Sequence, residues 1–175
     1  MLLFSCTKDR IFDEAPTGSP GKSDTITPGI IRINEFVAAG STLTSNLGVS
    51  ADWIELYNPG AKDVILEKGA WFVTDDLANP EKAALPAVNL PAGSYAILFC
   101  DDTLLYNGQI HLPFGLSSKG EAVGLYYKAG GKAFWVDSTS YGQQTANGYQ
   151  SNARLPNGFG NWNYPVNPSP GKGNE

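Results

Sequence analysis

Apolar and polar residues alternate along most of this chain with a period of two, in short runs broken by Gly, Pro, Asn and Asp. The clearest run is Asp52-Trp53-Ile54-Glu55-Leu56-Tyr57. Side chains of a strand point alternately to its two faces, so Ile54 and Leu56 share one face while Trp53, Glu55 and Tyr57 share the other. Asn58-Pro59-Gly60 then ends the run with turn chemistry. A carboxylate flanked by two aromatics on one face needs a hydrogen-bonding partner if that face is covered.

The same reading predicts strands over residues 30–37, 62–66, 70–74 and 94–100, and extended chain over 110–116. Residues 38–51 read as a Gly/Ser/Thr/Asn loop and 101–108 as a loop with room for one helical turn. Runs at 121–127 and 133–138 flank Ala129-Gly130-Gly131. Two glycines supply the positive φ of a tight hairpin turn, so this pair predicts a β-hairpin. Residues 142–175 are rich in Gly, Asn, Pro and Gln yet hold Tyr149, Phe159, Trp162 and Tyr164. A disordered tail is poor in aromatics, so this segment is expected to pack across the domain as ordered coil. No apolar i, i+3, i+4, i+7 pattern persists, and short strands with frequent turns predict an all-β sandwich of two antiparallel sheets.

The 175 residues suffice for one domain with a sizeable core. A net charge of −5 without any Lys/Arg cluster disfavours direct nucleic-acid binding. No stretch is long and apolar enough for a membrane-spanning helix. The two cysteines, Cys6 and Cys100, form neither a disulfide framework nor a zinc-site spacing. Cys100 ends an apolar strand and reads as a small buried hydrophobe; a Cys6–Cys100 bridge has no positive support.

Leu3-Phe4-Ser5-Cys6 matches the end of a bacterial lipoprotein signal, in which a small residue precedes a cysteine that becomes acylated. Residues 1–5 are read as the remnant of such a leader, residues 6–29 as a flexible polar tether, and residues 30–173 as the folded domain. This organisation predicts lipidation at Cys6 and a place in the bacterial cell envelope, as an outer-membrane lipoprotein touching the membrane through its lipid alone.

Asn34-Glu35, the Asp52–Asn58 run, Trp71 and Asp75-Asp76 stand in a fixed order. Leu90-Pro91-Ala92-Gly93, residues 114–121, Asp137-Ser138, Arg154, Trp162 and Pro168-Ser169-Pro170-Gly171 follow. Together these marks resemble the lamin-tail domain over residues 30–173. The resemblance implies an immunoglobulin-like β-sandwich. Taken with the lipid anchor at Cys6, the chain reads as a non-catalytic binding or scaffolding module with an envelope protein or a glycan as partner and no cofactor, the alternative being a carbohydrate- or Ca²⁺-dependent adhesion module.

Three chemistries remain as candidates. Glu35, Asp52, Glu55, Asp75 and Asp76 would supply oxygen ligands for Ca²⁺ if they converged; no Asp-x-Asp-x-Asp-Gly loop accompanies them, and the simpler reading has Glu35 and Glu55 fixing strand register. Glu35, Asp52 and Glu55 as the acid and base of a small hydrolase form a weaker alternative. Trp53, Tyr57, Trp162 and Tyr164, with Trp135 and Tyr149, would offer a stacking surface for sugars or peptides wherever they are exposed, the alternative being packing inside the sandwich. His111, the only histidine, has no second imidazole or nucleophile motif beside it and reads as structural.

Overall fold

The computed structural model describes residues 30–145 and 149–175. Thirteen strands follow one another among them: β1 Arg32–Val37, β2 Asp52–Tyr57, β3 Val64–Leu66, β4 Trp71–Thr74, β5 Ala83–Ala84, β6 Val88–Leu90, β7 Tyr95–Cys100, β8 Leu105–Tyr106, β9 Ile110–Leu112, β10 Glu121–Ala129, β11 Lys132–Tyr141, β12 Ser151–Leu155 and β13 Asn161–Val166. They form a seven-stranded sheet in the order β13-β12-β1-β2-β7-β9-β8, a four-stranded sheet β11-β10-β4-β5, and the small pair β3-β6. All pairings are antiparallel except β7 with β9. This is an immunoglobulin-like β-sandwich.

The core lies between the sheets. Ile33, Phe36, Ile54, Leu56 and Leu98 come from one side, and Trp71, Val73, Val123 and Leu125 from the other. The β10–β11 hairpin turns through Gly130 and Gly131 at φ of 58° and 75°, a conformation that costs a residue with a Cβ. Cys100 is a free, buried thiol. The Cys6 position, its tether and any bridge from it lie outside the described residues.

Two expectations are corrected. Residues 105–106 form a short edge strand inside the stretch 101–108 that reads as loop. The segment after residue 142 is only partly coil, because β12 and β13 extend the large sheet beyond β1. Neither strand shows clean alternation: β12 is buried at three consecutive positions, and β13 is an edge strand exposed at most of its length.

Candidate functional site

The Ile54/Leu56 face of β2 meets the core, as the alternation predicts. The opposite face is also covered, and the last residues of the chain cover it. Between Ile33 and Glu35 the β1 register shifts, so that two residues of β1 stand against one of β2. Such a bulge aims successive side chains at one face. Asn34 and Glu35 therefore both point outward, beside Glu55, and all three are fully buried.

These side chains clamp the C-terminal segment. The Glu55 carboxylate accepts from Asn34 Nδ2 at 2.7 Å and from the Gly171 amide at 2.7 Å, a contact across 116 residues of chain. Glu35 accepts from the Ser151 hydroxyl at 2.5 Å and from the Ser169 amide and hydroxyl at 3.1 Å. Asn34 Oδ1 accepts from the Gly158 amide at 2.8 Å, and Asn34 Nδ2 also donates to Asn157 Oδ1 at 2.9 Å. Asn174 donates through Nδ2 to the carbonyls of Asn34 and Arg154, both at 3.0 Å. The hydrogen-bonding partner that a covered Glu55 requires is thus supplied twice over.

Burial raises both carboxylates. It pushes Glu55 up to about 8 against the pull of the Asn34 and Gly171 hydrogen bonds, with the Glu35 charge adding to the rise. Glu35 is raised by burial and held back by Ser151 and Ser169.

The other proposed metal ligands lie elsewhere. Asp52, pushed up to about 6 by burial, accepts from the Leu116 amide and faces Glu121. Asp75 pairs with Lys82 at 2.6 Å. Asp76 caps a turn by accepting from the Ala78 amide at 2.9 Å. The five carboxylates do not converge, and no His/Cys/Asp/Glu group suited to a metal occurs among the described residues. The physical reason is register: Glu35 and Glu55 are cross-strand partners, whereas Asp52 sits at the start of β2 and Asp75 and Asp76 follow the opposite sheet.

The aromatic candidates separate in the same way. Trp53 is fully buried on the covered face and presents nothing to a ligand. Tyr57 stacks on Tyr95 with centroids 4.6 Å apart, and Gly158 lies so close that a Cβ there would come within 2.7 Å of the Tyr57 ring. Trp162 and Tyr164 do share one cleft of about 200 Å³ with Phe36, Tyr141 and Asn152. The Arg154 guanidinium lies 4.6 Å from the Trp162 ring centre, and the Tyr164 hydroxyl accepts from the Thr145 amide. The buried Asn152 Nδ2 has no partner. His111 is structural: Nδ1 contacts Asp101 at 2.7 Å, Nε2 contacts Asn46 at 3.2 Å, and its ring stacks on Phe99.

Alternation did not flag two further features. Arg154 uses all three guanidinium nitrogens, donating to the Ile33 and Gly160 carbonyls and to Asp137. An apolar groove beside β8 is walled by Leu104, Leu105 and Tyr106. Its only sequence signal is the apolar triplet itself, inside a stretch that otherwise reads as loop.

A two-sheet sandwich whose Asn34-Glu35 bulge and Glu55 grip the chain's own end is a structural module, with its conspicuous acidic residues committed to holding the fold. The Lamin Tail Domain family model matches residues 25–143, and the chain belongs to that family. Domains of this type are generally non-catalytic interaction modules of immunoglobulin-like fold. No curated protein and no solved structure matches the chain. The matched span ends before β12, so the strands and the turn that complete the clamp come from beyond it.

Proposed function

We propose that this chain is a non-catalytic binding or scaffolding module, held at the bacterial envelope by a lipid on Cys6 and presenting a rigid β surface to an envelope protein. The observation that carries the reading is the commitment of Glu35 and Glu55. Both are fully buried, and both accept hydrogen bonds from the C-terminal segment. A hydrolase needs its acid and base facing a substrate cleft, and these two face the protein's own backbone. With the signature residues used to build the fold, recognition falls to the surface. There, apolar side chains gather along the β8 edge. The reading calls on no cofactor.

A glycan-binding reading has one observation in its favour. The Trp162–Tyr164 cleft combines aromatic walls with the unpartnered Asn152 amide. Aromatic stacking with a polar handle is what a sugar ring requires.

The test has two arms. For the protein expressed from its own gene in native cells, mass spectrometry of the mature N-terminal peptide is expected to show a diacylated Cys6 that disappears in Cys6→Ala. An unmodified Cys6 in an intact N-terminus would remove the envelope assignment. The full chain, immobilised, is then exposed to solubilised envelope proteins and to a polysaccharide panel. Retention of a defined envelope protein supports the reading, retention of polysaccharide alone transfers it to the Trp162 cleft, and retention of neither overturns both.

A further inference from the structure

The groove beside β8 has the attributes of a peptide site. Leu85, Ile110 and Leu112 lie deep in it, each under a tenth exposed, while Leu104, Leu105 and Tyr106 stand at its wall, 70%, 38% and 57% exposed. Its volume of about 410 Å³ falls within the range of about 300–1,000 Å³ typical of ligand sites. Scattered surface apolar residues need no explanation, but three consecutive ones at the wall of a concavity mark an interaction surface.

Among the described residues, the strand that forms this wall has a partner on one side only. β8 pairs with β9 and ends the seven-stranded sheet. The Thr103 amide donates to the Leu112 carbonyl and the Asn107 amide to the Gln109 carbonyl. Alternate residues of an antiparallel strand direct their backbone groups to the same side, so Leu104 and Tyr106 turn their N–H and C=O groups to the open edge. An extended chain can take up those groups as an added strand.

Charge narrows the occupant. Lys68 is the one Lys or Arg lining the groove and no carboxylate lines it, although the chain carries a net −5. Lys68 has no ion pair among the described residues. A peptide carboxylate placed there meets a cation and no carboxylate in the groove lining.

We propose that this groove receives an extended peptide strand of a partner protein, apolar on the side it turns to the groove and carrying a carboxylate over Lys68. The proposal rests on the reading of the chain as a binding module and names the partner's chemistry.

The test is a titration of the full isotopically labelled chain with two capped peptides of alternating valine and threonine. One carries aspartate at both ends and the other lysine. Amide shifts are expected at Leu104, Tyr106 and the neighbouring groove residues, with the aspartate peptide preferred. An exposed ion pair is worth at most about 1 kcal/mol, so the preference is about fivefold, and Lys68→Glu is expected to reverse it. Lys68 is exposed, so that variant leaves the core untouched. Absence of shifts at millimolar peptide overturns the proposal. So do shifts confined to β13 or the Trp162 cleft, a preference indifferent to Lys68→Glu, or a groove that responds to decanoate and to neither peptide. Peptide binding at the groove without retention of any envelope protein would sink the envelope reading and leave the groove standing. The converse result would do the opposite.

Discussion

Asn34 is the residue on which the covered face turns. Its side chain donates to Glu55 and Asn157 and accepts from the Gly158 amide, so both of its polar atoms are used. Asn34→Asp keeps the shape and the acceptor but replaces the donor with an oxygen. That oxygen then opposes Glu55 Oε1 and Asn157 Oδ1, and a third carboxylate enters a face that already buries two. Leaving buried polar groups mispaired costs roughly 1–3 kcal/mol, and uncompensated charge costs more. Urea unfolding of Asn34→Asp is expected to show a loss of about 3 kcal/mol at pH 8, part of it recovered at pH 5 as the carboxylates protonate. A loss below about 0.5 kcal/mol would mean that the network is decorative, since that is the scale of ordinary surface substitutions.

Arg154 does at the level of elements what Asn34 does at the level of atoms. Carried on β12, it reaches β1 through the Ile33 carbonyl, the turn before β13 through the Gly160 carbonyl, and β11 of the opposite sheet through Asp137. Asp137 in turn accepts from the Ile33 amide at 3.0 Å. Arg154→Lys retains the charge but not the fork that spans three elements. The ion pair survives, while two backbone hydrogen bonds and the stacking of the guanidinium on Trp162 disappear, so the expected cost is about 2 kcal/mol. Hydrogen exchange should locate the loosening in Ser151–Leu155 and Asn161–Val166, and uniform protection equal to the parent's would remove Arg154 from this role.

Which of these elements are legible in the sequence follows from where each finds its partners. β2 is written in its own alternation and in the Asn58-Pro59-Gly60 turn that ends it, and the β10–β11 hairpin in Gly130-Gly131, because its two strands are adjacent in the chain. β12 is not, because it pairs with β1, more than a hundred residues upstream, and β13 is not, because although it pairs with the adjacent β12 it is an edge strand exposed at most of its length. The site divides likewise. Alternation places Glu55 with Trp53 and Tyr57 on one face, but it says nothing of what covers that face. Among the covering groups are the amides of Ser169 and Gly171, which any residue other than proline would provide. The β8 groove leaves still less trace, since it arises from two sheet edges approaching each other.

At the scale of the whole molecule, burying carboxylates makes stability depend on pH with a definite sign. Glu55 is pushed from 4.5 up to about 8, Asp52 from 3.8 up to about 6, and Glu35 is raised as well, in each case chiefly by burial. The folded state therefore holds protons that the unfolded state has released. The stability contributed by the protonated forms is complete below the unfolded values near 4 and is lost as pH rises through the folded ones. Asp52 contributes its share of the loss up to about pH 6, and Glu55 extends the loss to about pH 8. The net charge of −5 at neutral pH works in the same direction, because protonation relieves self-repulsion. The chain is expected to be more stable at pH 5 than at pH 8 by about 2 kcal/mol, and at about 2–4 °C per kcal/mol for a domain of this size the melting temperature should fall by several degrees. Thermal melts at half-unit steps would show it, and Glu55→Gln, which cannot ionise, should flatten the fall between pH 6 and pH 8 whatever its own stability. A parent curve that rises toward pH 8 would mean that the two hydrogen bonds from Asn34 and Gly171 outweigh burial, and that the clamp is built for a charged Glu55.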